Sequence, residues 1–303
     1  MRKMPDFTGF LAFCRGLCYT VGMKRNHLIL PRLLALFLLL ALVFSLCACH
    51  RDPHKGMVEI YNGTDYDWIT PWKGVEVSDL REEDFYTPDA GVTVRYTGEA
   101  YRVQEGIDVS YYQGDVDWQA VADQGIEFAM IRAGYRGFTD GYISKDVCFE
   151  QNAERALAAG LEVGFYFFSQ ATSADEAREE ARWLVEAVKD YDVSLPLVFD
   201  WETITEYEAR TDGMLGAEMT ECAAAFCDVV RSAGYTPCVY FNNWQGYYDY
   251  DLSALDGAEF WVSNLSTWDD FYYAHSIWQY TYSGTLRGIN GNVDRDLRYV
   301  PVD

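Results

Sequence analysis

One pattern recurs three times in this 303-residue chain: a helical stretch, then a glycine, then an apolar strand. Residues 119–124 lead through Gly125 into 126–133, residues 156–159 through Gly160 into 161–168, and residues 229–233 through Gly234 into 235–241. Each glycine stands where a helix C-cap needs a left-handed residue. Helices alternating with strands imply a parallel or mostly parallel sheet. Further apolar runs at 106–110, 195–202, 259–264, 276–281 and 291–296 bring the candidate strands to eight. Eight favours a closed, TIM-like (β/α) barrel over an open doubly wound sheet. The last three runs follow one another with too little chain between them for full helices, so the expected barrel is irregular. Ser173 and Glu176 form a capping box ahead of a helix over 177–188, and Leu215, Met219, Cys222, Phe226, Val229 and Val230 make a helical stripe.

The first fifty residues follow a different logic. Lys24, Arg25 and Arg32 precede a 16-residue run, 33–48, that contains no charge. A basic region followed by an apolar one of that length reads as an export signal, since a membrane-spanning helix needs about 20 residues. The run ends in Leu46-Cys47-Ala48-Cys49, which resembles a bacterial lipobox with Cys49 as the lipid-modified residue, although Cys47 is atypical there. Ordinary secretion or an uncleaved signal anchor are the alternatives. Met23 followed by Lys24 and Arg25 looks like the natural start, leaving residues 1–22 as an over-long beginning. The expected division is a signal over 1–49, a spacer or small β-rich lead-in over 50–104, and the catalytic barrel over 105–303. Turn signals at Asn62-Gly63, Pro71, Pro88-Asp89 and Gly98 and a strand at 92–96 mark the lead-in.

Charge and side-chain inventory exclude several kinds of chemistry. The net charge is −23, and residues 1–48 hold six of the 24 basic side chains but one of the 47 acidic ones, so the exported part is more acidic still. Such a field repels phosphate backbones, and nucleic acid is not an expected partner. After the signal only His50, His54 and His275 remain, which disfavours a Ser-His or Cys-His site and a His-based zinc centre. Of the four later cysteines, Cys222 and Cys227 lie five apart on one expected helix, about 8–9 Å between Cα atoms and too far to bridge each other. Buried free thiols are the expectation for Cys148, Cys222, Cys227 and Cys238. An aromatic content of 16% suggests an aromatic-lined cleft of the kind that packs on sugar rings.

Catalytic groups of a β/α barrel come from the C-terminal ends of its strands. Asp108 ends the first strand, Asp200 and Glu202 end the fourth, and Asp294 lies on the last. Side chains alternate along a strand, so Asp200 and Glu202 share a face with Cα atoms about 6.6 Å apart. Closing the barrel brings the first and eighth strands together, and Asp108 beside Asp294. A lone acid at a strand end is often a solvated cap, but a charge closing the apolar run Leu197-Val198-Phe199 needs a reason. Four carboxyls around one cavity cannot all ionise cheaply, so one should keep its proton near neutral pH, as a general acid must.

These pieces together resemble a known family. Residues 106–110 (GIDVS) with Gln113-Gly114, Asp117-Trp118, residues 125–137 (GIEFAMIRAGYRG), residues 163–168 (VGFYFF), Asp200-Trp201-Glu202, Trp278-Gln279-Tyr280 and Val293-Asp294 are similar to glycoside hydrolase family 25, the N-acetylmuramidases often called Chalaropsis-type lysozymes. The resemblance covers about residues 105–300. It implies an irregular β/α barrel that hydrolyses the β-1,4 bond after N-acetylmuramic acid in peptidoglycan with no metal or other cofactor. It also implies Glu202 as general acid, Asp200, Asp108 and Asp294 as the other active-site carboxylates, and Tyr166 as an aromatic of the sugar cleft. Tyr135, Tyr240, Trp278 and Gln279, on the same strands, are taken as further substrate contacts. Net retention is expected, with either Asp200 or the substrate's acetamido group as nucleophile. Phe167-Phe168 stands where many members carry a histidine between aromatics.

Two other readings compete: a glycosidase acting on a related amino-sugar polymer, and a catalytically inactive wall-binding lipoprotein, against which the retention of all four acids speaks. The expected protein is an exported, surface-anchored monomer whose partners are peptidoglycan glycan strands and, through its N-terminus, the membrane.

Overall fold

The computed structural model describes residues 35–37, 52–88 and 93–302. By internal contacts the chain divides into one unit of residues 1–55 and a second from Gly56 to Asp303. Cys49 and all of the expected signal except the helical residues 35–37 lie outside the described residues. Among those described, no helix is long and apolar enough to cross a membrane.

The second unit opens with a hairpin, β1 (Val58–Tyr61) and β2 (Tyr66–Ile69), turned by Asn62, whose side-chain oxygen accepts from the N–H groups of Thr64 and Asp65 at 3.0 Å each. A second short pair follows, β3 (Phe85–Tyr86) with β4 (Arg95–Tyr96). The remaining elements are β5 (Tyr101–Val109), α1 (Trp118–Ala122), β6 (Phe128–Arg136), β7 (Ile143–Lys145), α2 (Phe149–Ala158), β8 (Glu162–Ser169), α3 (Ala174–Val188), β9 (Leu197–Trp201), α4 (Gly216–Ser232), β10 (Pro237–Asn242), β11 (Glu259–Ser263), β12 (Ile277–Gly284) and β13 (Val293–Pro301). Gly125, Gly160 and Gly234 take φ of +90°, +85° and +89°, the left-handed conformation their positions after helices demand. Ser173 caps α3 through the Glu176 N–H, but the Glu176 carboxylate turns to Thr172 and Arg210, so only half of the expected capping box forms.

The eight long strands close into a barrel in the order β5, β6, β8, β9, β10, β11, β12, β13 and back to β5, with β7 added outside the ring against β6. Neighbours are parallel from β5 round to β12, whereas β13 runs antiparallel to both β12 and β5. The cause is chain length. Residues 285–292 cannot hold the dozen or more residues of a crossover, so β13 returns as a hairpin.

Inside the ring Phe128, Met130, Val198, Cys238 and Ile277 fill the lower layers. Phe128 lies directly on Gly106, where a Cβ would meet its ring atoms at 2.2–2.4 Å, so the first strand needs a glycine there. Outside, α2, α3 and α4 bury their apolar stripes against the parallel strands, with Met219, Cys222, Phe226 and Val230 supplying that of α4. Among the described residues, no helix has its main packing against β12 or β13. The lead-in covers them instead: Val94, Leu80 and Phe85 pack on Trp278, Tyr280, Leu297 and Tyr299. Cys148, Cys222, Cys227 and Cys238 are all free thiols.

Candidate active site

A cleft of about 600 Å³ opens at the end of the barrel where the parallel strands finish. Strand alternation delivers an inward group from every strand of the ring: Asp108 from β5, Arg132 from β6, Tyr166 from β8, Asp200 from β9, Tyr240 from β10, Trp261 from β11, Gln279 from β12 and Asp294 from β13. The reversal of β13 matters here, because its first residues are then the ones that reach the cleft. Asp294 stands directly opposite Asp108 in the β13–β5 register, as barrel closure required.

Hydrogen bonds fix this ring. Gln279 Nε2 donates to Asp108 Oδ2 at 2.8 Å and lies 3.5 Å from Asp294 Oδ2, while its Oε1 accepts from the Tyr240 hydroxyl at 2.9 Å. Trp261 Nε1 donates to Asp296 Oδ1 at 2.9 Å, one layer below the rim. The turn carrying Glu202 is held from both sides: Gln170 Nε2 donates to the Glu202 carbonyl at 2.9 Å, and Gln245 Nε2 to the Trp201 carbonyl at 3.1 Å. Both glutamines are buried, so neither carbonyl is free to shift the carboxyl above it.

The electrostatics follow from the crowding. Burial raises Asp108 well above the usual carboxylate range, and the charges of Asp294 and Asp296 add to it. Asp294 is pushed up to about 6, also by burial. Asp200 is raised well above its ordinary value by burial and then by the charge of the neighbouring Glu202. Glu202 is reached by solvent at the cleft mouth yet densely surrounded by protein. Loss of hydration raises it first and the Asp294 charge second, against the lowering effects of Asp200 and Arg132. Two carboxyls so close cannot both ionise, and the Asp200–Glu202 pair holds a proton above the range of an isolated acid.

Of the residues singled out from sequence, Glu202, Asp200, Asp108, Asp294, Tyr166, Gln279, Tyr135 and Tyr240 all line this cleft. Trp278 does not, which corrects its assignment as a substrate contact. Its neighbour Gln279 faces inward, so alternation turns Trp278 to the outside of the barrel, where it is fully buried beneath Phe85 and donates through Nε1 to the Asn264 carbonyl at 2.8 Å. At the VGFYFF segment, Phe168 lines the cleft, while Phe167 packs outward on Trp183.

Several residues of the site escaped the sequence reading. Arg132 is a cation of the cleft: its Nε donates to the buried Asp146 at 2.8 Å, and its guanidinium lies 5.0 Å, 5.5 Å and 5.6 Å from the ring centroids of Tyr111, Tyr112 and Tyr135. A charge in the middle of the apolar run FAMIRAG was the available signal. Trp261, with its polar tip turned to Asp296, and Phe138 with Tyr207, stacked at 5.7 Å across two rim loops, complete the aromatic lining. Asp296, fully buried, carried the plainest signal, since it lies two residues from Asp294 on the same strand face. Among the described residues no cluster of three or more His, Cys, Asp or Glu side chains is arranged to hold a metal ion.

Comparison with known proteins places the same region. Residues 107–289 match the model of "Glycosyl hydrolases family 25". A protein described as "Autolytic lysozyme" from Clostridium acetobutylicum is 26% identical over 63% of this chain, and "Lysozyme M1" from Streptomyces globisporus is 28% identical over 63%. The matches span 55% and 66% of those relatives' own lengths, less than two thirds of either. Among solved structures, a family 25 glycosyl hydrolase from Bacillus anthracis shares the fold with a TM-score of 0.54 at 24% identity, over 66% of this chain and 90% of that one.

Proposed function

The chain belongs to glycosyl hydrolase family 25, and from that premise we propose that it is a muramidase cutting the β-1,4 bond between N-acetylmuramic acid and N-acetylglucosamine in peptidoglycan. The observation that carries this is the convergence of Asp108, Asp200, Glu202 and Asp294 on one aromatic-lined cleft. The relatives described as lysozymes point the same way.

In this reading Glu202, at the open mouth, protonates the glycosidic oxygen as the bond to the anomeric carbon breaks. Loss of hydration and the Asp294 charge raise its pKa, which favours its protonated form. The muramic acid ring carries a 2-acetamido group whose carbonyl oxygen attacks the anomeric carbon. Asp200 supports that step. One of its oxygens, Oδ1, is buried with no hydrogen-bond partner among the described residues and suits the acetamido N–H. Glu202, now ionised, takes a proton from the water that opens the cyclic intermediate, and the product keeps the original configuration. Asp108 and Asp294, tied by Gln279, hold the sugar, and the Asp294 charge raises the acid.

The test is chemical. Mass spectrometry of fragments from purified peptidoglycan should find N-acetylmuramic acid at every new reducing end, and NMR should find the β-anomer first. N-acetylglucosamine ends would mean a different glycosidase, a first-formed α-anomer would mean inversion, and intact glycan would mean a binding protein.

The same premise supports export to the cell surface, where such a substrate lies. Lipid attachment at Cys49 is the form of anchoring the Leu46-Cys47-Ala48-Cys49 segment favours.

A further inference from the structure

A second groove, also about 600 Å³, lies beside β12, between the β1–β2 hairpin of the lead-in and the loop that follows β11. Tyr61 and Tyr66 of the hairpin form one wall, Trp268 of the loop another, and Tyr282 at the end of β12 a third, over a floor that includes Tyr280. We propose that this groove is a distal subsite that holds a further sugar ring of the glycan strand whose scissile bond sits in the cleft, an inference that rests on the muramidase reading.

Four observations carry it. Tyr66 and Tyr282 are 76% and 62% exposed, so two aromatic faces stand in water at the groove with no core to bury them. Tyr280 is 97% buried, yet its hydroxyl has no hydrogen-bond partner among the described residues. A buried hydroxyl left unpaired is costly, and a ligand hydroxyl or amide would satisfy it. Chemistry is the third. Aromatic faces mixed with the hydroxyls of Ser266, Thr267 and Ser283, and with no Lys or Arg in the lining, suit a neutral polyhydroxylated ring rather than a phosphate. The single carboxyl there, Asp270, is hydrogen-bonded to Asn264 and pushed up to about 6 by burial, so it adds an acceptor with a weakened charge.

Position is the fourth. β12 carries Gln279 into the catalytic cleft and Thr281, Tyr282 and Ser283 into this groove, two to four residues further on, or about 7–13 Å along the strand. A polymer threading the cleft can therefore reach both. The hairpin is also fastened to the barrel, since the Tyr248 hydroxyl donates to Asp67 at 2.8 Å, Asn62 donates to Tyr248 at 3.3 Å, and Asn243 donates to the Tyr61 carbonyl at 3.3 Å. Residues 56–104, outside the family match, thus acquire a purpose: they extend the glycan track.

The paired change Tyr66→Ala with Tyr282→Ala tests the subsite, using long glycan strands stripped of their peptides and a tetrasaccharide of alternating N-acetylglucosamine and N-acetylmuramic acid. KM for long strands should rise about tenfold with kcat unchanged, while kcat/KM for the tetrasaccharide stays within about twofold of wild type. An unchanged KM on long strands, or an equal loss on the tetrasaccharide, overturns the proposal. So does a loss seen only on peptide-bearing sacculi, which would assign the groove to the peptide stem. Tyr280→Phe should leave the melting temperature unchanged or higher and weaken long-strand binding about threefold; a destabilised Tyr280→Phe would mean that the hydroxyl is already satisfied within the fold and would count against the subsite. Sedimentation of the Glu202→Gln chain with stripped strands, with and without the tyrosine changes, separates the two readings. If wild type cuts nothing but the tyrosine changes still release the chain, the muramidase reading fails and the subsite stands. If they release nothing, the subsite fails whatever the turnover.

Discussion

Asp200 and Glu202 sit two residues apart on one strand face and lose hydration together, so the proton they hold belongs to the pair. The general-acid step needs that proton on Glu202, and activity should fall as pH rises through the pair's elevated range. Asp294 helps to set where the fall occurs, because its negative charge raises Glu202. Asp294 itself is pushed up to about 6, so its charge grows in as pH rises through that value and is fullest on the alkaline side of the profile. Replacing Asp294 by Asn removes the charge and should move the alkaline limb of kcat/KM to lower pH; an unmoved or raised limb would mean that Asp294 does not act on the acid. Asp200 and Glu202 were legible because Asp-x-Glu at the end of an apolar strand states both their face and their depth, and Asp108 and Asp294 because barrel closure sets the first and last strands side by side. Asp296 obeys the same alternation but was masked by its more prominent neighbour.

At the scale of the element, the strand and helix pattern was readable wherever a glycine followed a helix. The last strand was not. Sequence showed too little chain for helices near the end of the barrel, but the antiparallel return of β13 is fixed by the hairpin's length and by pairing across the closure, which no local window contains. Trp278 failed for a related reason. A family motif lists Trp278-Gln279-Tyr280 together, yet in a strand only one face of such a triplet can meet a substrate. Arg132 shows what one element contributes to another. It ties β6 to the turn that begins α2, pairing with Asp146, whose side chain is 0% exposed and also accepts from the N–H groups of Tyr111 and Cys148 at 3.1 Å and 2.9 Å. Arg132→Met would leave that carboxylate buried without its cation, and unfolding free energy measured in urea should drop by about 3–5 kcal/mol. A loss under about 1 kcal/mol would mean that the backbone donors alone satisfy Asp146.

The whole molecule is an acidic body, net −23, proposed to work on a wall polymer. Electrostatic attraction gives no help in reaching such a substrate, so contact must come from the shape of the cleft and from tethering close to the wall. The proposed lipid at Cys49 would supply the tether. Cys49→Ala should release the chain from the membrane fraction of its host and block signal processing; unchanged membrane association and processing would replace the lipid with an uncleaved anchor. All of this serves one claim, that Glu202 delivers the proton that breaks the glycan. Its most direct test is the rate of peptidoglycan hydrolysis by Glu202→Gln, which keeps the shape of the side chain and loses the proton. The rate should fall by about 10²-fold or more while binding to the glycan survives; turnover near that of wild type would contradict the assignment and move the acid to another carboxyl of the cleft.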